Sequence, residues 1–141
     1  MPHETDARAS VTTIGLVRHG RTAWNREKRL QGQLDIPLDA LGREQARKLA
    51  DHLSSLNAPE GGQWDALYTS DLQRARETAA ILAAAHHLVP VEDARLRERG
   101  YGRLEGTTPK ERDKLWGPGW TEMDHGEEPL DAMLQRGLEF I

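Results

Sequence analysis

Residues 12–20 read TTIGLVRHG, a short β-branched and apolar run that ends in an arginine, a histidine and a glycine. The stretch 12–17 has the composition of a strand buried on both faces, and such strands belong to parallel sheets covered by helices. An α/β domain follows. In these sheets ligands gather outside the carboxyl ends of the strands, which is where Arg18, His19 and Gly20 fall.

The chain downstream alternates in the same sense. Residues 41–56, LGREQARKLADHLSSL, bring Leu41, Ala46, Leu49, Ala50, Leu53 and Leu56 close to one helical stripe, with Asp39 as the N-cap. NAPEGGQ then breaks the helix. DALYTS (65–70) predicts a second strand, and LQRARETAAILAAAHH (72–87) an alanine-rich helix opened by a capping box from Ser70 to Gln73. Thr108, Pro109 and Glu111 supply the cap, first-turn proline and box partner of a further helix in TPKERDKLWG. GPGWTEMDHGEEP (117–129) reads as a loop, and the last twelve residues as a helix. The expected organisation is a disordered tail at 1–11 followed by a single domain portion over 12–141.

Composition narrows the function. The 141 residues are 37% apolar and 30% charged, with a formal net charge of −4. That balance argues against a general affinity for nucleic acid and against a polybasic membrane surface. An anionic ligand would need a local cationic pocket. There is no cysteine, which excludes disulfides and thiolate metal sites and makes a cytoplasmic setting the expectation. No apolar run approaches the length of a membrane span.

A phosphate pocket fits the strand ends. Arg74 lies in the first turn of the helix after the second strand, where free N–H groups and the positive dipole end favour an anion and a guanidinium adds a forked contact. Gly20 allows close backbone approach, and Asn25 offers an amide. Between guanidinium charges His19 is expected to stay neutral, the form that attacks phosphorus. The arginines would hold phosphoryl charge in both ground and transition states. A satisfied histidine beside solvated arginines has the same spacing, so these residues alone leave both readings open.

Four ordered segments, LVRHGRTAWN, QGQLDIPLDALGREQA, YTSDLQRARETA and LRERGYGRLEG, together resemble the histidine phosphatase superfamily, which includes the cofactor-dependent phosphoglycerate mutases. HGEEPLDAMLQRGLEFI extends the resemblance more weakly to the end. The resemblance implies a three-layer αβα fold with a mostly parallel sheet, phosphoglycerate mutase-like. It implies a phosphohistidine formed on His19, phosphoryl binding by Arg18 and Arg74, and a proton donor at Glu98. Asn25, Gln31, Gly32 and Tyr101 fall with the substrate-binding positions. A carboxyl group beside a bound phosphate retains its proton more readily, which suits a general acid. Charge alone does not single out Glu98 from Glu92 and Glu105; the family match does.

Departures from the family pattern favour hydrolysis over mutase chemistry. Arg21 stands where relatives carry Glu or Gln. Lys110 is offset by one position from the mutase lysine, and the 117–129 loop has no arginine. The expected activity is a metal-independent phosphomonoesterase acting on a small phosphorylated metabolite, with no cofactor, nucleic acid or membrane partner. A homodimer is compatible with this reading. Phosphoglycerate mutase is the alternative, and a non-catalytic phospho-ligand module the second. His86 and His87 read as helix-end capping, His3 and His125 have no partner pattern, and Trp116 with Trp120 suggest an apolar wall for the leaving group. The family's second histidine, on a later strand, has no counterpart after His125, so the resemblance also implies an incomplete, C-terminally truncated domain.

Overall fold

The computed structural model describes residues 10–56 and 62–141. Of the expected tail, only residues 10 and 11 are described, and both are exposed; most of the NAPEGGQ break lies outside the described residues. The architecture centres on a βαβ unit. Strand β1 (Leu67–Thr69) runs into helix α3 (Gln73–His86), which crosses over to strand β2 (Pro90–Glu92). The strands pair in parallel, Leu67 against Pro90, Tyr68 against Val91 and Thr69 against Glu92.

Helix α2 (Ala40–Ser55) packs on α3. The contact is built from small side chains, with Ala46 and Ala50 buried on α2 and Ala79, Leu82 and Ala83 buried on α3. Alanine at these positions lets the helices approach closely, and the apolar area removed from water stabilises the pair. Leu41 and Leu56, expected on the same stripe, remain partly exposed. His86 Nε2 donates to Ala50 O at 3.3 Å, tying the end of α3 to α2 rather than capping its own helix. His87 takes the left-handed C-cap position with φ 56°.

Local capping decides several boundaries. Asp39 accepts from Gly42 N at 2.8 Å and starts α2, as expected. Thr108 and Glu111 close the predicted capping box of helix α4 (Pro109–Trp116), with Pro109 in its first turn. Helix α1 (Ala23–Glu27) was not foreseen. Thr22 caps it, accepting from Asn25 N at 3.1 Å while Asn25 Oδ1 accepts from Thr22 N at 2.9 Å. Helix α5 (Leu130–Phe140) follows the 117–129 loop, which contains a 3-10 turn at Trp120–Glu122.

Two expectations are corrected. The Ser70–Gln73 box does not form, because Leu72 is the N-cap residue and Ser70 Oγ accepts from Leu72 N. Gln73 N donates instead to Asp35 Oδ1 at 2.6 Å, so a carboxylate from a distant loop satisfies the helix start. The stretch 12–17 forms no strand, and Ile14 and Leu16 are 73% and 94% exposed. A β-branched sequence becomes a strand only when a neighbour takes up its N–H and C=O groups and an apolar layer covers it. Here residues 14–17 and β1 line one cleft of about 470 Å³ rather than pairing.

Candidate active site

His19 stands where the 12–17 stretch meets the helical layer, and the residues after it are held by close contacts. A side chain at Gly20 would place Cβ 2.3 Å from Gly42 O, and one at Gly42 would come 2.1 Å from Arg21 O, so two glycines allow the His19 segment to touch the start of α2. Gly20 N donates to Thr78 Oγ1 at 3.1 Å. The Thr78 hydroxyl in turn donates to Arg74 O at 2.8 Å, and Thr78 is buried. One hydroxyl therefore joins the histidine segment to the arginine helix.

The ring orientation follows from a third contact. His19 Nδ1 lies 2.7 Å from Gly20 O, and a carbonyl only accepts, so Nδ1 carries the proton and Nε2 keeps its lone pair. Burial is the main cause that lowers the His19 pKa from 6.5; the Gly20 carbonyl opposes it, and Arg74 and Arg18 lower it further. The downward shift expected from the arginines is thus produced first by desolvation.

Arg74 is buried, and burial lowers its pKa while the charges of Glu98, Asp35 and Glu105 counter that effect. Its Nη1 donates to Leu34 O at 2.8 Å and its Nη2 to Gly32 O. His19, Arg74 and Glu98 all line the large cleft, whose remaining walls are mostly apolar. Glu98 is exposed, with Oε1 accepting from Arg99 N at 2.8 Å. Arg18 does not line this cleft. It is exposed and borders a smaller one of about 290 Å³ together with His19, Gly20 and Thr78.

The other expected binding residues lie outside the large cleft's walls and make structural contacts. Asn25 Oδ1 is occupied by the Thr22 cap. Gln31 is buried and accepts from Thr22 Oγ1 at 2.8 Å. Gly32 has φ 53°, and a Cβ there would sit 2.1 Å from Glu105 Oε1. That carboxylate accepts from Gln33 N and Tyr101 N, so Glu105 joins the 31–35 loop to the 101 turn. Tyr101 is half-buried beneath the Arg99 guanidinium, and burial followed by the Glu98 charge raises its pKa. Arg21 turns away to Asp39 at 2.7 Å.

Trp116 and Trp120 do not line the cleft either. Trp116 packs edge-on against His125 with ring centroids 4.6 Å apart, and Arg112 lies over Trp120. His125 is 1% exposed, with Nε2 donating to Trp120 O. Among the described residues no group of three His, Asp or Glu side chains is placed to hold a metal, and no helix is long and apolar enough to cross a membrane. The sequence reading missed Thr78, Thr22 and Glu105. Thr78 had a legible signal, since it lies four residues after Arg74 and shares its helix face.

The profile of the histidine phosphatase superfamily (branch 1) matches residues 14–141. The chain belongs to that superfamily. This member is 38% identical over 125 residues to the uncharacterized phosphatase PhoE of Bacillus subtilis, covering 88% of this chain and 62% of PhoE. It is 38% identical over 133 residues to phosphoglycerate mutase-like protein 4 of Arabidopsis thaliana, covering 87% of this chain and 56% of the plant protein. Among solved structures it is similar to the mycobacterial glucosyl-3-phosphoglycerate phosphatase in complex with VO3. The TM-score is 0.75 at 34% identity, over 86% of this chain and 59% of that one. The α/β phosphoglycerate mutase-like fold is therefore shared, and this histidine phosphatase superfamily chain spans less than two thirds of these relatives.

Proposed function

We propose that the protein is a phosphomonoester hydrolase that acts on small phosphorylated metabolites through a phosphohistidine. The observation that carries this reading is the Nδ1 contact of His19 with Gly20 O, which frees Nε2 on the wall of a cleft shared with Arg74 and Glu98. Nε2 attacks phosphorus as the P–O bond to the leaving group breaks. Arg74 holds the phosphoryl oxygens from its buried position at the start of α3, and Arg18 adds positive charge from the other side of His19. Glu98 gives its proton to the departing alkoxide oxygen. Its carboxylate then takes a proton from water, which attacks the phosphohistidine and releases inorganic phosphate and neutral Nε2.

The apolar wall of the cleft supports an organic leaving group. Asn25, Gln31, Gly32 and Tyr101 act on this reading by shaping the loops around the phosphate. The similarity to a mutase-like protein supports a second reading, in which a hydroxyl of phosphoglycerate replaces water as acceptor. Product analysis with a phosphoglycerate separates the two, since hydrolysis yields phosphate and mutase action yields an isomer. The phosphohistidine is tested by quenching the reaction with labelled ester. Acid-labile, base-stable phosphate is expected on the unsubstituted protein and none on His19→Ala; label retained by the variant overturns the assignment.

A further inference from the structure

Glu98 raises a problem of placement, because an exposed side chain is not positioned by burial. Its backbone is held instead by α5. Arg136 Nη2 donates to Glu98 O at 3.0 Å, and Nη1 donates to Arg97 O at 2.6 Å and Arg95 O at 2.8 Å. The remaining N–H groups face Glu128, with Nε to Oε2 and Nη2 to Oε1 both at 2.8 Å. A guanidinium has five N–H groups, and all five are used. Three of them clamp the carbonyls of the segment that carries Glu98.

Glu128 completes the clamp. Its backbone N donates to Gly100 O at 2.8 Å, and its carbonyl accepts from Arg99 Nε at 2.7 Å. Gln33 Nε2 makes a second contact to Glu98 O at 3.1 Å. The Arg136 side chain is only 19% exposed, so these contacts are shielded from water more than those of a free surface arginine. A lysine has three donors on one point and cannot span carbonyls at 95, 97 and 98 together with a carboxylate.

We infer that Arg136 is a positioning residue for Glu98, setting through three backbone carbonyls where the proton donor meets the leaving group. This rests on the reading of Glu98 as general acid. Arg136 touches no reacting atom, and its effect is confined to the two proton transfers that Glu98 serves.

The test uses the full-length gene product with a nitrophenyl phosphate and an alkyl phosphate, because protonation matters little to the first leaving group and much to the second. Arg136→Lys is expected to lower kcat/KM, which reports the leaving-group step apart from hydrolysis of the phosphohistidine, on the alkyl ester by roughly 10- to 100-fold, the scale of a small misplacement, and on the nitrophenyl ester by less than about threefold. Glu98→Gln should show the same selectivity, and the double variant should lose no more than Glu98→Gln alone. Inhibition by inorganic phosphate should not change in Arg136→Lys. Equal loss on both esters in Arg136→Lys, with Glu98→Gln still selective, overturns the positioning role. Equal loss in Glu98→Gln overturns the general-acid reading, and the inference falls with it. If Arg136→Lys lowers thermal stability too far to assay, Glu128→Gln loosens the same clamp while keeping the guanidinium. A smaller loss selective for the alkyl ester supports the inference, and an unselective loss or none overturns it.

Discussion

His19 and Glu98 face one cleft from supports of different kinds. The histidine segment is wedged by backbone. Gly20 and Gly42 leave no room for a methyl group, and the Gly20 N–H ends on the buried Thr78 hydroxyl. The Glu98 segment is exposed and guyed by side chains from elsewhere, chiefly the Arg136–Glu128 pair and the Arg97–Asp71 pair. Close packing transmits any change in volume, whereas a partly solvated ion pair gives way at low cost. The His19 side should therefore answer to sterics, and the Glu98 side to individual polar contacts.

The largest expected effect is on the wedged side. Gly20→Ala sets a methyl carbon 2.3 Å from a backbone oxygen that has no rotamer to escape by. A loss of about 3 kcal/mol or more in unfolding free energy is expected, measured by denaturant titration. A loss near zero would mean that the two segments are not locked together. Next comes Arg74→Ala, which removes a buried cation on the cleft wall. The inhibition constant of inorganic phosphate should rise by roughly 10- to 150-fold, from a charge-assisted bond worth ~1.5–3 kcal/mol. An unchanged constant would take Arg74 out of the phosphate site.

A moderate effect comes from pH. The folded pKa of His19 lies below its unfolded value of 6.5, so the unfolded chain binds the proton first as pH falls. The linked stability is present above pH 6.5 and lost as pH falls through the folded pKa. On the proposed mechanism the neutral ring is the nucleophile, so kcat/KM should also decline on an acid limb whose midpoint lies below 6.5. A midpoint above 6.5 in the free enzyme would contradict burial as the governing cause. The smallest effect belongs to the guyed side. Asp71→Asn weakens the Arg97 pair, whose side chains are 36% and 27% exposed, and should cost ~0.5 kcal/mol, vanishing in molar salt. A loss above about 2 kcal/mol would show that the Glu98 segment is as rigidly built as the His19 segment.

Much of this organisation was legible in the residues. The caps at Asp39 and Thr108 act within four residues of their own helices, so short-range patterns suffice to see them. His19 and Arg74 stand in two of the motifs and line one cleft, whereas Arg18, adjacent to His19 in the chain, borders the smaller cleft. Glu98, which the resemblance singles out as proton donor, lines the cleft with His19 and Arg74. Asp35 as the partner of Gln73 was not legible, since 38 residues separate them. Nor was the burial of His125, whose polar neighbours DHGEE suggest a solvated loop while Trp116 covers the ring.

The sequence by itself determined an α/β chain of the histidine phosphatase superfamily and its longer helices, because periodicity, caps and ordered motifs are local properties. Only the tertiary structure decided the rest. It showed that desolvation, ahead of neighbouring charge, lowers the His19 pKa, that Asn25 and Gln31 hold the Thr22 turn while Gly32 receives Arg74, and that Arg136 gathers the carbonyls beside Glu98. It also left the strand-like 12–17 stretch unpaired, since a strand is completed by the hydrogen bonds of a neighbour and by apolar cover, neither of which is encoded in the stretch itself.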